Sequence, residues 1–312
     1  MNSEDMQNIL IVGAGTMGLQ IGFLCAVHGC GVVVYDVDPA MLENAGERAK
    51  ALARRFRQKN RLSPEAVDQA LGCLSFSSDP EAAGRSADLV SESVTEDPAL
   101  KGKVFAQFNE ICPPRTIFTT NSSSLVPSMF ARATGRPERF LAFHFHDVVT
   151  SNIVDVMPHP GTLPEVTAAV EAFAEKIGQI PIMLQKEQPG YVFNTMLMAF
   201  LGEALGMAAK GVASIEDIDR AWMGVMHTQV GPFGIMDSVG LDTVWKITSY
   251  WAAKTHDAKA RKNADFIKEY LDQGLLGQKS GRGFYTYPDP AFARRGFLRG
   301  RNQQPAAKKI TG

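Results

Sequence analysis

Cysteine is scarce: four residues in 312, Cys25, Cys30, Cys73 and Cys112, with no C-x-x-C pair among them. That excludes a disulfide framework and leaves the thiols reduced, buried or half-buried. No histidine cluster lies at ligand spacing along the chain, so no metal site is expected. Long apolar runs are also missing. Runs such as residues 9–12 and Gly31–Tyr35 are strand-sized and far short of the roughly 20 residues a bilayer span needs. Charge of one sign is not in excess either. The 32 Lys and Arg nearly balance the 33 Asp and Glu, leaving −1, which gives no footprint for nucleic acid or a membrane surface. The polar start, residues 1–8, lacks the basic and apolar regions of a secretory leader, so a cytoplasmic location is expected. No internal repeat stands out.

What is present is an ordinary globular composition, 45% hydrophobic and 21% charged, on a chain long enough for two domains. The first half reads as strands alternating with helices. Residues 8–12 form an all-apolar run suited to a parallel strand buried on both faces. A Gly-rich turn follows at 13–18, then a helix over 20–29 and a strand over 31–36. Residues 39–62 read as one long basic amphipathic helix, and Ser63 as the N-cap of another that starts with Pro64. Further strands are expected at 88–90, 116–120, 140–145 and 153–157. Beyond about Lys186 strand signals stop, and helices are expected over 191–210, 215–226, 241–254 and 264–273. The fold class is therefore α/β: a Rossmann-type, doubly wound, mainly parallel sheet, followed by an all-α C-terminal domain. The expected domains are 1–187, 188–290 and a flexible tail over 291–312, rich in Pro, Gly, Arg and Lys from Pro288.

Gly13-Ala14-Gly15-Thr16-Met17-Gly18 fits G-x-G-x-x-G. Alone the pattern is weak, because tight strand-to-helix turns use glycine too. Its setting adds weight: a buried strand before, a helix after, and Asp36 at the end of the next strand. Gly13 permits the turn, Gly15 the close approach of a pyrophosphate, and Gly18 helix–strand packing, while the helix N-terminus favours negative charge. With Thr16 and Met17 these residues form the expected cofactor turn. Asp36 is placed to accept bonds from ribose hydroxyls and to repel a 2′-phosphate, which selects NAD over NADP; flavoproteins share the motif.

Four further segments carry chemistry. They are Thr120-Asn121-Ser122-Ser123-Ser124-Leu125; Phe143-His144-Phe145-His146-Asp147 with residues 155–162 after it; Pro189-Gly190-Tyr191-Val192-Phe193-Asn194; and residues 277–285, G-Q-K-S-G-R-G-F-Y. In this order, with the Gly-rich turn ahead of them, they resemble the 3-hydroxyacyl-CoA dehydrogenase family over about residues 9–287. The resemblance implies a Rossmann-type domain joined to a helical dimerisation domain, NAD as cofactor, and an acyl-CoA substrate in a cleft, as in fatty-acid β-oxidation. It implies that His144 takes the substrate hydroxyl proton, a task suited to an imidazole. A carboxylate should orient that histidine. Asp155 is the best match and Asp147 a competitor, although the family usually has glutamate there. Ser123 should bond the reacting oxygen, and Asn194 should donate to it from the helical domain. Glu96, Lys101 and Asn121 are expected near the cofactor.

The text after the histidine departs from the family's Phe-Asn-Pro-Val-Pro: here it is His146-Asp147-Val148-Val149-Thr150. The Ser-rich segment and the Val-Met-Pro-His-Pro stretch are also similar to the branch containing lambda-crystallin and the L-gulonate and carnitine dehydrogenases. A dehydrogenase of a free hydroxy acid is thus the alternative, and a non-catalytic NAD-binding protein the alternative of another class. Arg48, Lys50, Arg54, Arg55, Arg57 and Lys59 suit CoA phosphates or simply a solvated face. Leu197, Met198, Phe200 and Leu201 suit a homodimer surface or an internal core.

Overall fold

A computed structural model describes residues 5–60 and 62–299. Its first unit runs to Phe193 and its second begins at Asn194.

The first unit is built on one sheet of eight strands: β1 Asn8–Val12, β2 Gly31–Tyr35, β3 Leu74–Ser77, β4 Leu89–Glu92, β5 Ile117–Thr120, β6 Phe140–Phe145, β7 Ile153–Pro158 and β8 Ile180–Met183. Their order across the sheet is β3-β2-β1-β4-β5-β6-β7-β8. From β3 to β6 all pairs are parallel, the 3-2-1-4-5-6 arrangement of the doubly wound dinucleotide fold. β7 then runs antiparallel to β6, and β8 parallel to β7.

Strand alternation divides the core between the two faces. Ile9, Ile11, Val32, Val34 and Phe143 pack with Phe23, Phe56 and Phe173 on one side. Leu10, Val12, Val90 and Phe118 pack with Phe105, Phe108 and Phe130 on the other. The helices that cover these faces are α1 Thr16–Val27, α2 Pro39–Glu43, α3 Ala45–Asn60, α4 Pro64–Gly72, α5 Pro80–Gly84, α6 Pro98–Ile111 and α7 Pro164–Lys176. Four of them begin with one device. Asp38, Ser63, Asp79 and Asp97 accept backbone N–H bonds at the N-cap, and a proline follows at the first helical position, where no N–H is missed.

Three expectations are corrected. Residues 39–62 do not form one helix, because Asn44 caps α2 and α3 starts afresh at Ala45. The first helix begins at Thr16, inside the Gly-rich turn, so its free N–H groups lie beside the C-terminal end of β1. The stretch after Pro288 is not loose as far as Arg299. Phe297 is buried, and the Arg220 guanidinium donates to its carbonyl at 2.7 Å and lies over its ring. The rest of the expected tail, 300–312, lies outside the described residues.

The second unit is helical: α8 Phe193–Ala209, α9 Ile215–Met226, α10 Pro232–Val239, α11 Leu241–Thr255 and α12 Ala258–Leu271. Leu201, Leu205, Phe233, Met236, Leu241 and Ile267 form its centre, with Leu197 and Phe200 packed against it. Those positions on α8 thus serve an internal core. Among the described residues no helix is long and apolar enough to cross a membrane.

Candidate active site

The Gly-rich turn lies between the C-terminal end of β1 and α1, at the switch point where β1 has β2 on one side and β4 on the other. Gly13 has φ +109°, and a Cβ there would stand 2.8 Å from the Ser93 carbonyl oxygen. A Cβ on Gly18 would fall 1.9 Å from the Gly13 oxygen, so the helix can approach the turn only without one. Around Gly15, by contrast, a Cβ would meet nothing within 4 Å. That open space above an N-terminus with no side-chain cap suits a pyrophosphate. Asp36 follows β2, half-buried, and accepts the Ala14 N–H at 2.8 Å and the Asp38 N–H at 3.0 Å. It therefore shapes the turn, and its remaining lone pairs are those a ribose would use.

The second cluster grows from the β6–β7 register. These strands pair antiparallel with His144 directly opposite Asp155, so both side chains emerge on one face. His144 Nδ1 lies 3.0 Å from Asp155 Oδ2, both groups almost fully buried. At the other ring nitrogen, Nε2, Ser123 Oγ stands at 3.2 Å. Asp147, the competing carboxylate, is exposed; it caps its own loop by accepting the Val149 N–H at 2.9 Å and lies 3.8 Å from Arg55. Burial would push Asp155 up, but the His144 bond and the close approach of the His146 ring outweigh it and hold the carboxyl below its ordinary range.

Glu96 and Lys101 are not ordinary surface charges. Glu96 Oε1 accepts from Ser122 Oγ (2.6 Å), Ser123 N (2.9 Å), and Ser124 N and Oγ (3.0 Å each), so it sets the serine loop that presents Ser123. Burial acts to raise its pKa, yet the Ser122 bond and the Lys101 charge hold it down. Lys101 is buried and donates to Glu92 Oε1 at 2.7 Å and to the Val94 carbonyl at 3.2 Å, with Glu96 Oε2 at 3.3 Å. Glu92 itself is raised by burial, against the pull of Lys101. Asn121 accepts the Phe145 N–H at 2.8 Å, tying the end of β5 to the end of β6. Asn194 stands half-buried in the first turn of α8, in the second unit.

Two residues were not assigned from sequence. Tyr191 stacks on the His144 ring, centroids 4.4 Å apart and planes within 5°, and donates its hydroxyl to the Ser122 carbonyl at 2.6 Å. It has φ +52°, a strained value for a non-glycine residue. Its place just after Pro189-Gly190 was the available signal. His146, two residues beyond His144 and hence on the same face, brings Nε2 to 3.3 Å from the same Asp155 oxygen. Spacing along the chain shows nothing, but strand pairing gathers His144, His146 and Asp155, with ligand atoms within 4.8 Å of one another.

Comparison with known proteins gives the family. Residues 8–188 match the model of the 3-hydroxyacyl-CoA dehydrogenase NAD binding domain, and residues 190–287 that of the C-terminal domain of the same family. A probable 3-hydroxybutyryl-CoA dehydrogenase of Bacillus subtilis is 34% identical over 286 residues, covering 91% of this chain and 99% of its own. The mitochondrial hydroxyacyl-coenzyme A dehydrogenase of Mus musculus is 32% identical, covering 90% and 91%. Among solved structures, a diketoreductase acting on dicarbonyl compounds superposes with a TM-score of 0.84 at 39% identity, covering 90% of this chain and 99% of its own. The (S)-3-hydroxybutyryl-CoA dehydrogenase of Ralstonia eutropha gives 0.82 at 32%, covering 91% and 100%. With the Gly-rich turn and both domain models in place, the chain belongs to the 3-hydroxyacyl-CoA dehydrogenase family and is an NAD-dependent oxidoreductase.

Proposed function

We propose that the protein catalyses the reversible oxidation of an (S)-3-hydroxyacyl-CoA to the 3-ketoacyl-CoA, with His144 as general base. The observation that carries this is the His144 ring held between Asp155 at Nδ1 and Ser123 at Nε2. The carboxylate keeps the neutral ring's proton on Nδ1, which leaves the Nε2 lone pair facing the position marked by Ser123 Oγ. A substrate hydroxyl bonded to Ser123 gives its proton to Nε2, and Asp155 then stabilises the imidazolium. Tyr191 fixes the ring plane, so the nitrogen does not wander as it gains the proton. Gly13, Gly15, Thr16, Met17, Gly18 and Asp36 would hold NAD, which would supply the acceptor for the hydride leaving the carbon that bears the hydroxyl. Glu96, Lys101 and Asn121 act by holding the serine loop and strand ends in register. A homodimer and a cytoplasmic location complete the reading.

The test is consumption of NADH with acetoacetyl-CoA. Rapid turnover is expected; a folded protein that binds NADH and leaves acetoacetyl-CoA unchanged would remove the acyl-CoA assignment. A second reading has one observation behind it: at 39% the diketoreductase is more similar in sequence than the 3-hydroxybutyryl-CoA dehydrogenase structure at 32%. On that reading the substrate is a free dicarbonyl or hydroxy acid, and the altered loop 146–150 is where the preference resides. A dicarbonyl ester turned over faster than acetoacetyl-CoA would favour it.

A further inference from the structure

His146 is not used by the reaction above, yet it is aimed at the reaction's centre. Its Nε2 is buried and makes no hydrogen bond among the described residues. It lies 3.3 Å from Asp155 Oδ2, too poorly aligned for a hydrogen bond. The ring meets His144 edge-on at 4.9 Å and Phe193 edge-on at 5.3 Å, which walls it with aromatic rings. A buried nitrogen without a partner, facing a carboxylate that already binds a second imidazole, is the donor set of a metal site.

We propose that His144 Nδ1, His146 Nε2 and Asp155 Oδ2 form an inhibitory site for Zn²⁺. Zinc bonds nitrogen and oxygen ligands at about 2.0–2.2 Å and prefers a tetrahedron, whose edges are then about 3.3–3.6 Å. Two edges are close to that length, Nδ1 to Oδ2 at 3.0 Å and Nε2 to Oδ2 at 3.3 Å. The third ligand pair lies within 4.8 Å and closes by a turn of the half-buried His146 ring. Two imidazoles and one carboxylate favour zinc over magnesium or calcium, which take oxygen ligands.

The consequence rests on the proposed role of His144. The ion takes the place of the proton shared by His144 Nδ1 and Asp155. That proton reappears on Nε2, so the ring stays neutral but in the other tautomer, with N–H where the lone pair is needed. It can no longer accept the substrate proton, and the charge of Asp155 is spent on the metal.

Calorimetric titration of ZnCl₂ into the full-length protein, paired with NADH turnover of acetoacetyl-CoA, tests this. One equivalent should bind, turnover should fall in step, EDTA should restore it, and MgCl₂ at the same concentration should change nothing. His146→Phe keeps the ring contact with Phe193 and removes the nitrogen; His146→Gln is a second variant should the first not fold. Each should weaken zinc binding about 10–100-fold, at least what loss of an outer-shell partner costs, and lose zinc sensitivity in proportion. Equal zinc affinity in wild type and both variants, or no stoichiometric binding, would overturn the site. Tight binding that depends on His146 but leaves turnover intact keeps the site and removes His144 from proton transfer, so the two readings fail separately.

Discussion

Asp155 in the sheet unit and Asp219 in the helical unit are equally hidden from water, and they are shifted in opposite directions. Asp155 is 1% exposed and held below the ordinary carboxylate range; Asp219 is fully buried and pushed up to about 6. The difference lies in the donors. Asp155 faces two imidazoles, groups that can carry a positive charge. Among the described residues Asp219 accepts only neutral donors, the Phe233 and Gly234 N–H groups and the Tyr285 hydroxyl, and the Asp237 charge adds to the cost of burial. Asp237 is likewise raised by burial, although it accepts the Phe284 and Tyr285 N–H groups and the Tyr287 hydroxyl. Neutral donors satisfy a buried carboxylate without offsetting its charge. One carboxylate is therefore suited to support a developing cation, and the other two to clamp the chain.

Catalysis is where this contrast should show most. His144→Ala should lower kcat by about 10²–10⁴-fold while NAD affinity, read by nicotinamide fluorescence, survives; near-wild-type turnover would remove the base. Asp155→Asn keeps the shape and loses the charge, so a loss of up to about 10⁴-fold is expected, since the wrong tautomer is then favoured. Asp147→Asn is the internal control and should stay within about twofold, as an exposed group away from the chemistry. If Asp147→Asn is the damaging change, the partner carboxylate is misassigned.

That control also marks what the sequence made legible. The β1–turn–α1–β2 unit is local, so its motif could be read in order along the chain. His144 and Asp155 were singled out by resemblance, but the choice between Asp155 and Asp147 turns on strand register, a property of two strands together. His146 was opaque for the same reason. The helical fragments missed most clearly were breaks and starts: Asn44 interrupts a pattern that is periodic on both sides of it. β3 and β8 escaped because they are the sheet's edge strands, only partly buried and carrying Ser or Pro where central strands carry Val and Ile. Asp219 and Asp237 had no sequence signal, since a helical carboxylate with backbone partners from another segment resembles any surface acid.

The clamp in the helical unit should appear in stability rather than rate. Between the ordinary value of 3.8 and about 6, Asp219 holds a proton when folded and not when unfolded. The folded state binds more protons in that window, so this group's contribution to stability is largest at acid pH and is lost as pH rises through 6. A shift of about two units corresponds to about 3 kcal/mol across the window. In denaturant melts, the stability difference between wild type and Asp219→Asn should therefore change by about that amount between pH 4 and pH 7, in favour of wild type at the acid end. A difference independent of pH would mean that Asp219 titrates normally.

The smallest effect discriminates within the clamp. Tyr285 donates its hydroxyl to Asp219 at 2.9 Å while its own N–H serves Asp237, and burial pushes the phenol far above its ordinary range. Tyr285→Phe removes the hydroxyl bond and leaves the backbone bond, the ring and its edge-on contact with Phe292 in place. The expected cost is about 1–2 kcal/mol near pH 7, where Asp219 is charged. Because that bond favours the charged carboxylate, its loss should move the Asp219 transition to higher pH. A protonated carboxyl needs the donor less, so the variant's deficit should shrink towards pH 5. A deficit that stays constant from pH 5 to pH 7 would show that the tyrosine contributes packing alone, and that the charge of Asp219 is balanced by the two backbone donors without it.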